Sequence, residues 1–350
     1  MATKKKKKQP DPEAWRKHVV PGTGCVCLSG GKDSTAMLFR MLEMNQEAAE
    51  KGEPEVYPVT RIIFADTGFE YPDLYEYFDD IQKYLDATYP NAPQVEILKP
   101  GNKSGTGVGT ISWHERFYGQ ITRGKAKGRT RGAPLQAYPC WWARDAKIEP
   151  LEKAHKTSEK VYIGIAADEA HRMTKDRRKQ GRYMYPLVDW DWTEDMCHDY
   201  LDSPEVAMVN ILYTQYRRLG CYHCIKQPLQ SWHSTWKNHP DLWEKSKYWD
   251  RESIRISGHS LRQDFTLDEL EDRFASGFIP KGKGVYECGS CDAVKFNQQD
   301  IVSNEDFDDG DLAPEQYVEG YIENNPEYDK SNVEWEIPDE DLSCDVMDDL

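Results

Sequence analysis

A six-residue stretch near the N-terminus has the composition of a phosphate-binding loop. Residues 29–34 read Ser-Gly-Gly-Lys-Asp-Ser and directly follow the apolar run 24–28. Adjacent glycines let the backbone curl without side-chain clashes, while the amine and the hydroxyls supply donors for phosphate oxygens. A helix that begins at the end of the loop would add its N-terminal N–H groups and positive potential. The spacing of glycine and lysine does not match the Walker loop.

Four of the nine cysteines form two C-x-x-C pairs, Cys221 with Cys224 and Cys288 with Cys291. This spacing lets two sulfurs reach one metal ion from a tight turn, and two pairs together predict a four-cysteine zinc site. The 63 residues between the pairs are long for a zinc ribbon. That length weakens the prediction of a single four-cysteine site.

Apolar patterns predict the elements that must position these residues. The predicted strands are 24–28, 60–65, 95–98 and 161–165, and the predicted helices are 35–50 and 73–84. Strands that alternate with helices indicate an α/β fold, a parallel twisted sheet with helices on both faces. In such sheets ligands bind beyond the carboxyl ends of the strands, where Ser29 and Asp66 fall.

Composition divides the chain into four parts. We expect a basic disordered leader at 1–20, a nucleotide-binding domain at 21–200, a smaller cysteine-containing and aromatic module at 201–300, and a tail at 301–350. The net charge of −16 belongs to that tail, because residues 303–350 hold 18 Asp and Glu against one Lys. Such an acidic block is typical of solvated, disordered chain.

The basic and aromatic stretches each allow two interpretations. Five cations fall within 123–131, with glycines between them, which suits phosphate, sulfate or a nucleic-acid backbone, or else a solvated mobile loop. The tryptophans and tyrosine at 232–249 either stack bases or form the core of the smaller module. No apolar run approaches ~20 residues, and no apolar stretch follows the N-terminal lysines. We therefore expect no membrane span, a cytoplasmic protein and reduced thiols.

Residues 29–34 resemble the PP-loop, S-G-G-K-D-S, of the ATP pyrophosphatases, the adenine nucleotide alpha hydrolase-like superfamily of HUP type. Residues 64–72 look like the segment D-T-G-x-x-F/Y-P of the phosphoadenosine-phosphosulfate (PAPS) reductase family. Residues 163–172 are similar to its G-x-R-x-x-E-S-x-x-R stretch, and 185–190 to its N-P-L-x-D-W segment. Together the segments resemble that family over 24–225, in the family's order.

The resemblance implies roles for individual residues. The phosphates of ATP would be bound by the loop residues Ser29, Gly30, Gly31, Lys32, Asp33 and Ser34, with Lys32 and Asp33 also catalytic. Asp66 and Gly164 would lie near the adenosine, and Arg172 would face the reacting phosphate or sulfate. Ala166 and Ala170 stand where the family has arginine and serine. His171 or Lys175 would then substitute for the missing cation, and Arg172 has the alternative role of a surface ion pair.

The resemblance also bears on the cysteines. Iron–sulfur members of the family hold a [4Fe–4S] cluster with a cysteine pair about eighty residues before a C-x-x-C. Here Cys140 precedes Cys221 by 81 positions, but the second cysteine of that pair is Trp141. Three thiolates remain, those of Cys140, Cys221 and Cys224, unless Cys288 or Cys291 completes the set. Both a [4Fe–4S] cluster and Zn²⁺ therefore stay open as cofactors.

The run 283–289 looks like the E-C-G-x-H terminus of the reductases, whose cysteine attacks the sulfonate. Cys288 is thus divided between metal ligand and catalytic nucleophile. Three functions follow from the resemblance. The favoured one is ATP- and Mg²⁺-dependent adenylation of an acceptor with release of pyrophosphate, for sulfur transfer from a sulfur donor protein. The second is thiol-dependent reduction of a sulfonucleotide to sulfite. The third is a non-catalytic nucleotide-binding protein with a nucleic-acid or protein partner.

Overall fold

The computed structural model describes residues 14–99, 112–122, 126–136, 139–173 and 181–280. Cys288, Cys291, the run 283–289, Lys175 and the acidic tail lie outside these residues. The first three positions of the basic stretch, 123–125, which hold two of its five cations, also lie outside them.

Five strands form one parallel sheet. In chain order they are β1 (Val20–Cys27), β2 (Arg61–Ala65), β3 (Val95–Leu98), β4 (Ser158–Ile163) and β5 (Tyr183–Met184). The spatial order is β3-β2-β1-β4-β5, so β1 lies at the centre of the sheet. Every pairing is parallel, with Val26 opposite Ile62 on one side and Cys25 opposite Val161 on the other.

Nine α-helices lie in the described ranges. They are α1 (Lys32–Glu50), α2 (Pro72–Thr88), α3 (Trp113–Phe117), α4 (Glu149–Ala154), α5 (Pro186–Asp189), α6 (Glu194–Asp202), α7 (Leu229–Asn238), α8 (Pro240–Ser257) and α9 (Leu267–Ala275). Short 3-10 helices cover Ala14–His18, Ala167–Arg172 and Ile211–Thr214, and a π-helical turn covers Ala143–Ile148.

The central strands are apolar because helices cover both faces of a parallel sheet and bury the side chains on each face. Cys25, Val26, Ile62 and Ile63 are fully buried in β1 and β2. The predicted α/β fold with a parallel sheet flanked by helices is confirmed, and so are its four predicted strands. The sheet's fifth strand, β5, was not predicted, because two residues are too few to show a periodicity.

The start of the chain differs from the sequence interpretation. Residues 14–20 were assigned to the leader 1–20, but they form a 3-10 helix and the first residue of β1. The cause is a pairing that local composition does not reveal: Val20 lies opposite Ser158 of β4.

The described residues divide into two compact units. The first unit contains the sheet with α1, α2 and α4 to α6, and draws on Met1–Ala65, Pro72–Leu98 and Ile148–Tyr213. The second contains α3 and α7 to α9, and draws on Asp66–Tyr71, Lys99–Lys147 and Thr214–Leu350. No helix in the described part of the chain is long and apolar enough to cross a membrane.

Aromatic side chains form the core of the second unit. Trp113 and Phe117 of α3, Trp232 of α7 and Trp243 of α8 are almost completely buried. The interpretation of 232–249 as a core segment is confirmed, because tryptophans that recur at helical spacing meet on one side of adjacent helices. Base stacking is therefore not available to Trp232 and Trp243 in this unit.

Candidate functional site

The loop 29–34 of the first unit joins the end of β1 to the start of α1. Gly30 has a φ of +70°, and Gly31 is extended at the N-cap of α1. The hydroxyls of Ser29 and Ser34 lie 2.9 Å apart, and Ser34 accepts a hydrogen bond from the Ser29 N–H at 3.1 Å. These bonds curl the chain over the first turn of the helix. The loop thus has the strand, turn and helix order of a phosphate cradle.

Two glycines are required by close approach. A Cβ on Gly30 would lie 2.5 Å from Leu74 Cδ1, and the positive φ would strain any other residue as well. A Cβ on Gly164, directly after β4, would lie 2.6 Å from Ser34 Cα and 2.8 Å from Ser34 N. Gly164 therefore holds the chain after β4 against the first turn of α1. The structure thus brings Gly164 to the loop, and its place near the adenosine stays a prediction.

Lys32 lies between two carboxylates. Its Nζ donates to Glu194 Oε2 at 2.6 Å and to Asp33 Oδ1 at 3.0 Å. Burial by itself lowers the pKa of Lys32, but the charge of Asp33 and the hydrogen bond to Glu194 outweigh it and raise the pKa above its ordinary value. The amine is therefore charged at neutral pH, as phosphate binding requires.

Two residues from a distant segment fix the loop backbone. Asn210 is buried and its Nδ2 donates to the carbonyl oxygen of Gly30 at 3.2 Å. The Tyr213 hydroxyl accepts from the Lys32 N–H at 2.9 Å. Sequence reasoning missed Glu194, Asn210 and Tyr213. Each lies more than 160 positions from its partner, and no spacing pattern in the sequence links them to the loop.

The stretch that follows β4 contains the predicted Arg172. The 3-10 helix Ala167–Arg172 places the Arg172 guanidinium in an ion pair with Glu169, whose side chain is buried. The same stretch reaches α6, because Asp168 Oδ1 accepts from the Glu194 N–H at 3.2 Å. The sequence interpretation gave Arg172 the alternative role of a surface ion pair, but this pair is largely buried, with side-chain exposures of 14% for Arg172 and 7% for Glu169. A catalytic role for Arg172 stays a prediction, and His171 is exposed.

In the second unit, the segment Asp66–Tyr71 is a compact turn. Asp66 Oδ1 accepts from the Gly68 N–H at 2.7 Å, which Gly68 permits with a φ of +77°. The Trp142 indole donates to the Thr67 carbonyl oxygen at 3.1 Å, and the Tyr222 N–H donates to the Phe69 carbonyl oxygen at 2.9 Å. The turn that contains Asp66 is therefore bonded to both cysteine-bearing segments of this unit.

A buried carboxyl lies within that turn. Glu70 Oε1 accepts from the Thr67 hydroxyl at 2.8 Å. Burial, followed by the charge of Asp66, raises the pKa of Glu70, although the Thr67 bond and the charge of Lys147 oppose the shift. The Thr67 hydroxyl also lies 3.3 Å from Cys221 Sγ. Thr67 thus connects Glu70 with the first thiol of the C-x-x-C pair.

The predicted metal ligands occupy the second unit as far as they are described. Cys221 and Cys224 form a tight turn, with the Cys224 N–H donating to the Cys221 carbonyl oxygen at 3.0 Å. Cys140 Sγ accepts from the Ala143 N–H at 3.4 Å, at the start of the π-helical turn. Among the residues described, no three His, Cys, Asp or Glu side chains are gathered so as to hold a metal ion. Cys288 and Cys291 lie outside them.

The remaining described cysteines, Cys25, Cys27 and Cys197, belong to β1 and α6 of the first unit, and Cys27 is half-buried. Cys25 of β1 and Cys197 of α6 are fully buried, and burial raises the pKa of both thiols well above the usual range. Buried thiols of this kind are inert, so neither is a candidate nucleophile.

Comparison with known proteins gives a consistent result. The sequence profile of the phosphoadenosine phosphosulfate reductase domain matches residues 24–227, more than half of the chain. A phosphoadenosine 5'-phosphosulfate reductase of Alkalilimnicola ehrlichii is 19% identical over 176 residues, which cover 49% of this chain and 62% of the relative. A crystal structure of the phosphoadenylyl-sulfate reductase from Candida auris, a phosphate complex, aligns with 61% of this chain and 90% of its own. That alignment has 17% identity and a TM-score of 0.36. The profile match, over the segments that carry the loop, Gly164 and the C-x-x-C turn, shows that the chain belongs to the phosphoadenosine phosphosulfate reductase family.

Proposed function

We propose that this chain binds ATP at the loop 29–34, cleaves it to AMP and pyrophosphate, and so activates an acceptor for sulfur transfer. The observation that supports this most strongly is the complete loop at the start of α1, with a charged Lys32 as the first residue of that helix. The helix N-terminus and the Lys32 amine would offset the charge that develops on a departing pyrophosphate.

The loop residues have separate parts in this proposal. The backbone between Ser29 and Lys32 binds phosphate oxygens, and the Ser29 and Ser34 hydroxyls donate to them. Mg²⁺ prefers one or two carboxylates together with substrate phosphates, and Asp33 beside Lys32 offers one carboxylate for it. When bound, Mg²⁺ would neutralise charge on the phosphates. Asp66, Gly164 and Arg172 stay proposed contacts of the nucleotide.

A metal cofactor at the cysteines is a separate matter. Cys140, Cys221 and Cys224 do not form a three-ligand group among the described residues, so these three by themselves do not fit a [4Fe–4S] cluster or Zn²⁺. A complete ligand set needs Cys288 and Cys291. We therefore derive no chemical step through a metal at this position.

A second function has its own support. The run 283–289 resembles the reductase terminus, and the curated relative is named a phosphoadenosine 5'-phosphosulfate reductase. In that reaction the Cys288 thiolate would attack the sulfur of a sulfonucleotide, and a thiol donor protein would release sulfite. The chain spans 62% of the length of that relative, and the intact loop favours ATP over a substrate that releases no pyrophosphate.

Nucleotide binding by Lys32→Ala distinguishes these functions. We expect Lys32→Ala to weaken ATP binding at least tenfold in calorimetry, because a charge-assisted contact to phosphate is lost. Lys83→Ala is the matched control, since Lys83 pairs with Asp80 on the exposed face of α2. If both variants bind ATP like the wild type, the loop is not the nucleotide site and the proposal fails. Release of sulfite from a sulfonucleotide, with Cys288→Ser inactive, would favour the second function.

A further inference from the structure

A group of buried N–H donors around α3 lacks hydrogen-bond acceptors. The Nε1 atoms of Trp113 and Trp141 and the Nε atom of Arg131 are buried, and none has a hydrogen-bond partner among the described residues. Buried donors in native proteins are nearly always satisfied, because each one left unpaired costs about 1–3 kcal/mol. Three such donors in one part of the second unit favour an acceptor at this place.

A buried carboxylate lies among arginines in the same place. Asp145 is buried and forms ion pairs with two arginines, at 2.6 Å to Arg116 Nε and 3.1 Å to Arg144 Nη2. The Arg116 contact is at ion-pair distance but lacks the alignment of a hydrogen bond. Burial, followed by the charge of Arg116 and also of Arg144, lowers the pKa of Arg131, while Asp145 opposes the shift. Three guanidinium groups therefore act on one carboxylate.

Aromatic packing holds these groups in position. Trp141 stacks on Trp113 with ring centroids 5.0 Å apart and the planes inclined by 22°. The Arg131 guanidinium lies 5.7 Å from the Trp141 ring, at the distance of a cation–π contact. Trp113 is packed in turn against Phe117 and Trp249. The donors are thus fixed before any ligand binds, which reduces the entropic cost of binding.

From this geometry we propose that Arg116, Arg131 and Arg144, together with the indoles of Trp113 and Trp141, form a binding site for a phosphate group. Phosphate is the matching chemistry because its oxygens accept several N–H bonds and the arginine fork binds them in pairs. Its negative charge is also complementary to the guanidinium groups. The proposal is independent of ATP cleavage at the loop 29–34.

The surroundings extend the positive charge to the surface. Gln120 is bridged in antiparallel orientation to Thr130, and the Arg131 N–H donates to the Gly119 carbonyl oxygen at 2.9 Å. Lys127 and Arg129, just before Arg131 in the chain, are exposed. The same phosphate chemistry is offered by a free phosphate ester and by a nucleic-acid backbone, and the row of exposed cations makes the backbone the stronger candidate.

The test compares two variants in a Lys32→Ala background, which weakens phosphate binding at the loop 29–34. Arg131→Gln removes one guanidinium of the proposed site. Arg255→Gln is the matched control, because Arg255 pairs with Glu252 on α8 and takes no part in the site. The probes are inorganic phosphate and a labelled single-stranded oligonucleotide of about ten nucleotides. The local readout is the indole N–H resonance of Trp141, assigned with Trp141→Phe.

We expect phosphate to shift the Trp141 indole resonance in the Arg255→Gln protein and not in Arg131→Gln. Oligonucleotide affinity should fall about tenfold in Arg131→Gln, corresponding to one charge-assisted contact. Saturation by the oligonucleotide at a much lower concentration than by phosphate would assign the site to a nucleic-acid backbone, and comparable concentrations would assign it to a phosphate ester. The proposal is overturned if neither probe moves the resonance, or if both variants bind both probes equally.

Folding is controlled separately. Without ligand, Arg131→Gln should melt at the wild-type temperature or above it, because the substitution relieves repulsion from Arg116 and Arg144. If Arg131→Gln does not fold, Arg144→Gln replaces it in the same comparison, since the Arg144 side chain is 59% exposed and tolerates substitution. Unchanged binding of both probes by a folded Arg144→Gln protein would then contradict the proposal.

Discussion

The hydroxyl of Tyr213 accepts a hydrogen bond from the backbone N–H of Lys32 at 2.9 Å, across 181 positions of sequence. That N–H belongs to the first turn of α1, where a phosphate oxygen would be bound. Tyr213 therefore holds an acceptor at the position that the proposed function gives to the nucleotide. The Lys32 amine also lies 5.6 Å from the Tyr213 ring.

Removal of the Tyr213 hydroxyl should cost stability but not nucleotide binding. In Tyr213→Phe we expect the free energy of unfolding to fall by about 1 kcal/mol, from one lost hydrogen bond. The ATP affinity should stay equal or rise a few-fold, because a phosphate oxygen no longer has to displace the Tyr213 hydroxyl from the Lys32 N–H. Calorimetry measures the ATP affinity, and denaturant unfolding measures the free energy of unfolding. Tyr57→Phe is the control, since the Tyr57 hydroxyl accepts from the Trp190 indole at 2.9 Å. A tenfold loss of ATP affinity in Tyr213→Phe alone would contradict this account.

The pairing of Lys32 with Glu194 leads to a second prediction. A phosphate would compete with the Glu194 carboxylate for the amine and would be repelled by it. Glu194→Gln should therefore tighten ATP binding several-fold in titration calorimetry, while Glu96→Gln, which breaks the exposed pair with Arg61, should not. Weaker binding in Glu194→Gln would mean that Glu194 positions Lys32 for the nucleotide.

The close approach of Gly164 to Ser34 leads to a prediction about packing. A Cβ at this position meets the backbone of Ser34, which cannot move without moving α1. We expect Gly164→Ala to lower the free energy of unfolding by about 1–3 kcal/mol and to weaken ATP binding. Gly220→Ala is the control, because nothing lies within 4 Å of a Cβ there and its φ is not positive. Equal behaviour of the two variants in thermal melts and ATP titrations would show that the loop is not held by Gly164.

The buried carboxyl group of Asp250 leads to a prediction about how stability depends on pH. This buried carboxylate accepts from Ser260 Oγ, from the Leu261 N–H and from the Leu267 N–H, but burial outweighs these bonds and raises its pKa from 3.8 to about 6. The folded state then holds the proton that the unfolded chain releases near pH 4. Stability should therefore fall by roughly 3 kcal/mol as the pH rises from about 4 to about 6.

Urea unfolding at several pH values tests this difference. The Asp250→Asn protein should lack that part of the decline between pH 4 and 6, whatever its stability at a single pH. The same slope in both proteins would show that Asp250 does not titrate in this range.

The elements of the first unit were predictable because their patterns are local. The apolar runs of β1 and β2 and the periodicity of α1 depend on neighbouring residues only. The loop 29–34 was predictable for the same reason, since six consecutive residues carry it. Tyr213, Asn210 and Glu194 were not, because they reach the loop through tertiary contacts that no sequence spacing encodes.

In the second unit, too, local patterns were predictable from the sequence and tertiary contacts were not. The tryptophans at helical spacing indicated a core, and the structure confirms it. The sequence interpretation treated Trp141 only as a missing cysteine and Arg131 only as part of a basic stretch. Their contact is a tertiary one between positions ten residues apart, and no sequence spacing encodes it.

Identifying which bond of ATP is cleaved, from the labelled products, tests the central claim most directly. ATP labelled at the α-phosphate is incubated with the protein, Mg²⁺, sulfide and a desalted cell extract as the source of acceptor, and the products are separated. We predict labelled AMP with an equal amount of pyrophosphate, above the level obtained with extract and Lys32→Ala protein. Labelled ADP with phosphate, or AMP at the same level with the wild type and with Lys32→Ala, would contradict the account.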